Sequence, residues 1–216
     1  NKADGGIMIT ASHNEPERNG FKLLDHEGSI LKPKDADFII EEFHKQNGFS
    51  PIEQESNIQD KRKEAIEEYT KFITELIGKE SIEKIKNYNG NILVDPNGGT
   101  GIIITEIAKI LDLSCFVSIN DKPGSFTRKI EPNNESLEFL KQIMIKKNMD
   151  LGAGFDSDAD RIEIITKTGR LVDGNQILAL ITDHILEGKE NELIITNDAT
   201  SQIVKEIALH HNSKVK

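Results

Sequence analysis

The chain carries one cysteine, Cys115, in 216 residues, which excludes an internal disulfide. A lone thiol suits a reducing, cytoplasmic compartment, and its apolar setting, SCFVSI, reads as a buried strand with a small core residue. No apolar run approaches the roughly 20 residues that span a bilayer, and no secretory signal is visible. The first residue is Asn1 rather than methionine, so the expectation is a segment of a longer protein that opens inside a folded element. Basic residues are also scarce. There are 27 Lys+Arg against 37 Asp+Glu, a formal net charge of −10. That balance argues against nucleic acid or an anionic membrane as partner, since both need basic patches. Phosphate could still bind, but only on local cations, backbone amides or a metal. Internal repeats and low-complexity segments are lacking too.

What is present suits a globular protein with an adequate core: 36% hydrophobic and 30% charged residues. Apolar runs at 6–10 and 21–25 read as strands, with a turn at His26–Ser29. Helices are expected at 34–46, capped by Asn47-Gly48, and at 60–77, with Ile66, Tyr69, Ile73 and Ile77 on one face. The polar stretch 48–60 between them is the best boundary in the chain. A weaker helix covers 81–86. Strand 91–95, glycine-rich turn 96–101, helix 102–113 and strand 114–120 follow. After a loop at 121–134 come helix 135–148, strands 151–155 and 161–166, helix 172–186, strand 192–196 and helix 200–211. The final 213–216 reads as the start of another strand. Strands alternating with helices of this length imply βαβ units on a mostly parallel sheet, an α/β fold.

The most informative stretch is FDSDADR, 155–161. Asp156, Asp158 and Asp160 alternate with small residues directly after an apolar strand. Three carboxylates in one tight loop can converge on a point, but they repel unless a cation joins them. A hard divalent ion, Mg²⁺ or Ca²⁺, takes such oxygen ligands. An EF-hand is excluded, because its sixth and twelfth positions would be Arg161 and Lys167 and the flanks are strands. Two other readings stand beside the metal loop: a solvated acidic turn, and a phosphatase using an aspartate nucleophile.

The second stretch is TASHNEPERNGFK, 10–22. Here a strand ends in Ser12 beside His13, and Lys22 follows. A serine is a poor nucleophile unless a base or metal activates it. A phosphate held on its oxygen would need a cation, and a carboxylate-bound Mg²⁺ supplies one. The serine loop and the aspartate loop therefore read as two halves of one phosphoryl-transfer site.

TASHN…NG-x-K together with a strand-borne D-x-D-A-D-R resembles the α-D-phosphohexomutases, the family of phosphoglucomutase, phosphomannomutase and phosphoglucosamine mutase. VDPNGGTG at 94–101, EPNNESL at 131–137 and VDGNQILALI at 172–181 fall where such proteins carry similar segments. The resemblance implies a phosphoserine enzyme that moves a phosphoryl group between the 1- and 6-positions of a hexose phosphate, with a hexose 1,6-bisphosphate as intermediate and activator. By the same resemblance Ser12 carries the phosphate. Asp156, Asp158 and Asp160 hold Mg²⁺ together with a phosphoserine oxygen at Ser12. His13, Lys22 and Arg161 are catalytic, stabilising the transferring charge or shuttling a proton, and Asn14 shapes the loop around the bound group. The implied fold is a fragment of a four-domain protein built from repeated mixed-sheet α/β domains. Residues 1–50 would end the first domain, 55–170 would form the second, and 171–216 would begin the third. The sugar-selecting loops lie outside the chain, which leaves glucose, mannose and glucosamine unseparated. Three positions depart from the family pattern: Glu15, Arg18, and Ser157, which stands where a D-G-D glycine is usual.

Other features read as structural. The VDPNGGTG turn could cradle a phosphate on its amides but lacks the Walker spacing, so a plain turn is expected. His210-His211 reads as a solvated helix end and His184 as part of an amphipathic helix.

Overall fold

The computed structural model describes residues 3–45 and 57–216. The expected cap at Asn47-Gly48 and most of the 48–60 boundary lie outside these residues. Strand β1 (Gly6–Ile9) pairs antiparallel with β2 (Phe21–Leu24), with Ile9 opposite Phe21. A bond from Thr10 N to Gly20 O, 2.9 Å, closes the loop between them. Helix α1 (Pro33–Lys45) follows. Two helices separated at Gly78, α2 (Arg62–Ile77) and α3 (Lys79–Lys86), lead to the central sheet.

That sheet is built from β3 (Ile92–Asp95), β4 (Phe116–Ser118), β5 (Leu151–Phe155), β6 (Ile162–Thr166) and β7 (Leu171–Val172), in the order β4-β3-β5-β6-β7. Helix α4 (Ile103–Ile110) joins β3 to β4 and α5 (Glu138–Lys147) joins β4 to β5, which makes β4-β3-β5 parallel. The expected parallel sheet ends there. β5, β6 and β7 pair antiparallel, because their connections are too short for a crossover. The aspartate stretch is the turn of the β5–β6 hairpin, so the sheet is mixed. The two-residue β7 is too short to leave a periodic signal.

One face of the sheet packs on α5, where Leu93, Leu137, Leu140, Met144, Met149 and Ile165 form a buried cluster. Across the sheet, Ile82, Ala108 and Leu113 close a second cluster with Phe116. Glycine on β5 permits the first contact: a Cβ at Gly154 would lie 2.4 Å from Leu137 Cδ2. Cys115 is buried, as expected of a small core residue, and burial pushes its thiol pKa up.

Helix α6 (Gly174–Leu186) starts on a capping box, with Asp173 Oδ1 accepting from Gln176 N at 2.9 Å. Strand β8 (Leu193–Ile194), α7 (Gln202–His210) and β9 (Lys214–Val215) complete a parallel βαβ unit. His211 is not a solvated end: its Nε2 sits 2.7 Å from Asp183 Oδ1 and ties α7 to α6. Ile7, Ile9, Phe21 and Phe38 remain exposed among the described residues. No helix among them is long and apolar enough to cross a membrane.

Gly154→Ala is expected to destabilise the fold by about 1–3 kcal/mol through overpacking against Leu137. Thermal unfolding of the variant beside the parent would show an unchanged midpoint if the contact is slack.

Candidate active site

The antiparallel β1–β2 pair holds Ser12 and Lys22 at opposite ends of one loop, and the β5–β6 hairpin presents Asp156 to Arg161. These two loops meet. Thr10 Oγ1 donates to Asp158 Oδ1, Lys22 Nζ lies 3.1 Å from Asp158 Oδ2, and Ser157 Oγ donates to the Ser12 carbonyl. Residues almost 150 positions apart thus share one small volume. A polar recess of about 550 Å³ opens there, lined by Ser12, Arg18 and Lys22 among others, within the usual size of a small-molecule site.

Local chemistry fixes the serine loop. Ser12 N donates to Thr10 Oγ1 at 2.9 Å, and Asn14 Nδ2 donates to Ala11 O at 2.8 Å. Asn14 therefore shapes the loop by folding back on its own backbone. Eight described non-glycine residues have positive φ, and six of them are Asn or Asp, which tolerate the left-handed region. The other two are Ser12, φ 56, and Ala159, φ 58. Each costs roughly 1–2 kcal/mol relative to a right-handed residue. Both fall in the two loops that meet, and such strain clusters where surrounding structure holds it for a purpose.

His13 Nδ1 stands 3.4 Å from Ser12 Oγ and 3.2 Å from Arg161 Nη2. A guanidinium can only donate, so Nδ1 is the acceptor and Nε2 carries the ring proton in this arrangement. Arg161 Nη1 also donates to Glu131 Oε2 in an ion pair. Ser12, His13 and Arg161 thus form a chain of neighbouring side chains, and Ser12 and Lys22 line the recess.

The three aspartates behave differently from the expected convergence. Among the described residues no group of three or more His, Cys, Asp or Glu side chains is placed to hold a metal ion. Asp158 is taken up by Lys22 and Thr10, which relieves its repulsion from the other two carboxylates. Asp156 is wholly buried, and its Oδ2 has no hydrogen-bond partner. Burial, followed by the neighbouring Asp160 carboxylate, pushes the Asp156 pKa above the usual carboxylate range. An orphaned buried oxygen beside a second carboxylate is the hard donor chemistry that a Mg²⁺ ion takes.

Sequence reasoning missed what supports these loops. Arg128 is buried and makes five hydrogen bonds, which accounts for all its N–H groups. Nε donates to Asp95 Oδ2 at 2.7 Å, Nη2 to the carbonyls of Phe155 and Asp95 at 2.6 and 3.4 Å, and Nη1 to those of Lys129 and Ile130 at 3.0 and 3.2 Å. Asn97 Oδ1 accepts from Arg128 N at 3.2 Å, and Asn120 Nδ2 donates to Asp95 Oδ1 at 2.9 Å. The glycine turn is structural, as expected, but with a specific task. Thr100 N and Oγ1 both donate to Ser157 O, at 2.9 and 3.0 Å, and a Cβ on Gly99 would lie 2.7 Å from Ser157 Cα. It seats the aspartate loop. An arginine in a polar loop, TRKIEP, carries no sequence signal that sets it apart from a solvated one.

Comparison with known proteins adds three kinds of finding. The family description "Phosphoglucomutase/phosphomannomutase, alpha/beta/alpha domain I" matches residues 1–49, and the corresponding domain II description matches residues 67–169. A phosphoglucomutase/phosphomannomutase of Thermococcus kodakarensis is 34% identical over 99% of this chain and 46% of its own length. A phosphomannomutase of Methanocaldococcus jannaschii is 34% identical over 95% of this chain and 45% of its own length. A phosphoglucosamine/phosphogalactosamine mutase of Sulfurisphaera tokodaii is 29% identical over 98% and 47%. The chain therefore spans about half the length of the curated relatives it matches. Among solved structures, a Thermus thermophilus protein superposes with a TM-score of 0.81 at 22% identity, covering 100% of this chain and 48% of its own. A phosphoglucomutase/phosphomannomutase family protein from Burkholderia thailandensis gives 0.73 at 20% identity, covering 98% and 44%. These likenesses carry the fold.

Arg128→Ala is expected to cost about 3–5 kcal/mol, since it leaves the Asp95 carboxylate buried and uncompensated; an unfolding midpoint close to the parent's would contradict that. Asp156→Asn should raise the midpoint of the metal-free protein at neutral pH. The sign follows from linkage. A carboxyl whose folded pKa is raised holds its proton more tightly when folded, so its contribution is present at low pH and is lost as pH rises through the folded pKa. The advantage of the asparagine should accordingly shrink on acidification, and midpoints measured from neutral to acidic pH would reveal an advantage that grew instead.

Proposed function

Because this chain belongs to the phosphoglucomutase/phosphomannomutase family, we propose that the protein is a phosphohexomutase, an isomerase that shifts a phosphoryl group between the 1- and 6-positions of a hexose phosphate. The observation that carries the reading is the meeting of the Ser12 loop with the Asp156–Arg161 loop, through Lys22–Asp158, Thr10–Asp158 and Ser157–Ser12. Residues 1–50 would end one domain, 55–170 form a second and 171–216 begin a third. A cytoplasmic setting accords with the single buried cysteine.

In this reading Ser12 carries the phosphate. A sugar hydroxyl attacks phosphorus, the bond from phosphorus to Ser12 Oγ breaks as the bond to the sugar forms, and the hexose bisphosphate results. The hydroxyl proton leaves the sugar and ends on Ser12 Oγ, with His13 Nδ1 at 3.4 Å within reach as its carrier. After the sugar turns round, the reverse step returns a phosphoryl group from its other end. Lys22 and Arg161 stabilise the charge spread over the transferring group. Arg161 is held for that work by Glu131, and His13 by Arg161. Asp156, Asp158 and Asp160, with a phosphate oxygen on Ser12, would hold Mg²⁺, whose charge would offset that of phosphate and carboxylates. Lys22, already beside Asp158, would stand next to the phosphate carried on Ser12.

The test is intact-mass and phosphopeptide analysis of the full-length protein after incubation with Mg²⁺ and a hexose 1,6-bisphosphate. Phosphate should appear on Ser12, disappear when hexose monophosphate is added in excess, and be absent from Ser12→Ala. Label on Asp156 or Asp158, or an unmodified Ser12 in the folded protein with Mg²⁺ present, would overturn the reading.

A further inference from the structure

We propose that Ser157 is a positioning residue for the reacting serine: its hydroxyl, donated to the Ser12 carbonyl, holds Ser12 in the left-handed conformation that sets Oγ beside His13. This deepens the phosphohexomutase reading and rests on it. Ser12 has φ 56, a conformation that persists only where neighbours over-determine it. Most of what holds it is local, as in the Ser12 N to Thr10 Oγ1 bond at 2.9 Å and the Asn14 N to Ala11 O bond at 3.1 Å. The Ser157 contact comes instead from a separate element, 145 residues away.

A donor is useful for positioning only if it is itself fixed, and Ser157 is. Its carbonyl accepts from both Thr100 N and Thr100 Oγ1, at 2.9 and 3.0 Å, while the 98–100 turn packs against its Cα. The backbone of residue 157 is thereby fastened to the end of β3 through the glycine turn, and its one rotatable hydroxyl points the other way, to Ser12. Glycine, the residue the family pattern has here, could keep the backbone contacts but not the donor. The substitution at 157 thus adds a tie between the two loops. Because the bonded atom is the Ser12 carbonyl, the tie restrains the backbone that orients Oγ and leaves the hydroxyl free to react.

The experiment compares the full-length parent with Ser157→Ala, Ser157→Gly and Ser157→Thr. Four quantities are read: thermal midpoint, hydrogen–deuterium exchange at amides 12–14, the rate of phosphoryl transfer from Ser12 to hexose monophosphate, and KM. Loss of the hydroxyl in the alanine and glycine variants should slow transfer about 10- to 100-fold, the scale of an ångström-sized misplacement. KM should stay within about twofold and exchange at 12–14 should rise about tenfold, by the same loss of local restraint. Threonine, which keeps the hydroxyl, should restore both. Parent-like transfer and exchange in Ser157→Ala would overturn the proposal. So would global unfolding of that variant, which would make the hydroxyl a support of the fold. Should the parent itself take no phosphate on Ser12, the phosphohexomutase reading falls, while the exchange comparison still decides whether Ser157 restrains the loop.

Discussion

The site depends on one buried cation. Arg128 enters between the C-terminal ends of two parallel neighbours, β3 and β5, and binds the Asp95 carboxylate together with the carbonyls of Asp95 and Phe155. Each of those strands ends in a loop that matters. β3 delivers the glycine turn, which seats Ser157, and β5 delivers the aspartates. The same guanidinium gathers the carbonyls of Lys129 and Ile130, directly before Glu131, the partner of Arg161. A buried ion pair adds little net stability over an apolar pair of the same volume. What it supplies here is a fixed relation among three chain segments.

Part of this was legible in the sequence. Helices and strands fell close to their expected places because the apolar periodicity of α2 or α4 and the runs at β3 and β5 are decided locally. The two loops that meet stood out for a related reason: each packs ionisable or nucleophilic residues into a few positions after an apolar strand. What depends on partners far along the chain was not legible. Nothing near Thr10 announces Asp158, and nothing in TRKIEP announces a guanidinium that will be buried. β7 was missed because a two-residue strand leaves no periodic signal. The partner of Asp158 was likewise hidden: Lys22, 136 residues away, pairs with it, and spacing within the aspartate loop cannot reveal that.

Backbone strain tells a consistent story. Local preference and global fold agree over most of the chain, as the six Asn and Asp residues at positive φ illustrate. They disagree at Ser12 and Ala159, where residues with no liking for the left-handed region are made to adopt it. Conflicts of this kind gather at functional sites, where geometry is selected over local ease. Here both occur within a few residues of the Ser157–Ser12 contact, so one joint between two loops concentrates the disagreement.

Charge points the same way. The site region brings together Lys22 and Arg161 with Asp156, Asp158, Asp160 and Glu131. Lys22 is matched by Asp158 and Arg161 by Glu131. Among the described residues neither Asp156 nor Asp160 has an ion-pair partner, and one oxygen of Asp156 is buried without any hydrogen bond. Two adjacent carboxylates without an ion-pair partner, in a protein already at −10, repel each other. An added divalent cation would neutralise them, and a phosphate arriving on Ser12 would compete with Asp158 for Lys22. In the proposed reading the Lys22–Asp158 pair satisfies both charges in the resting arrangement.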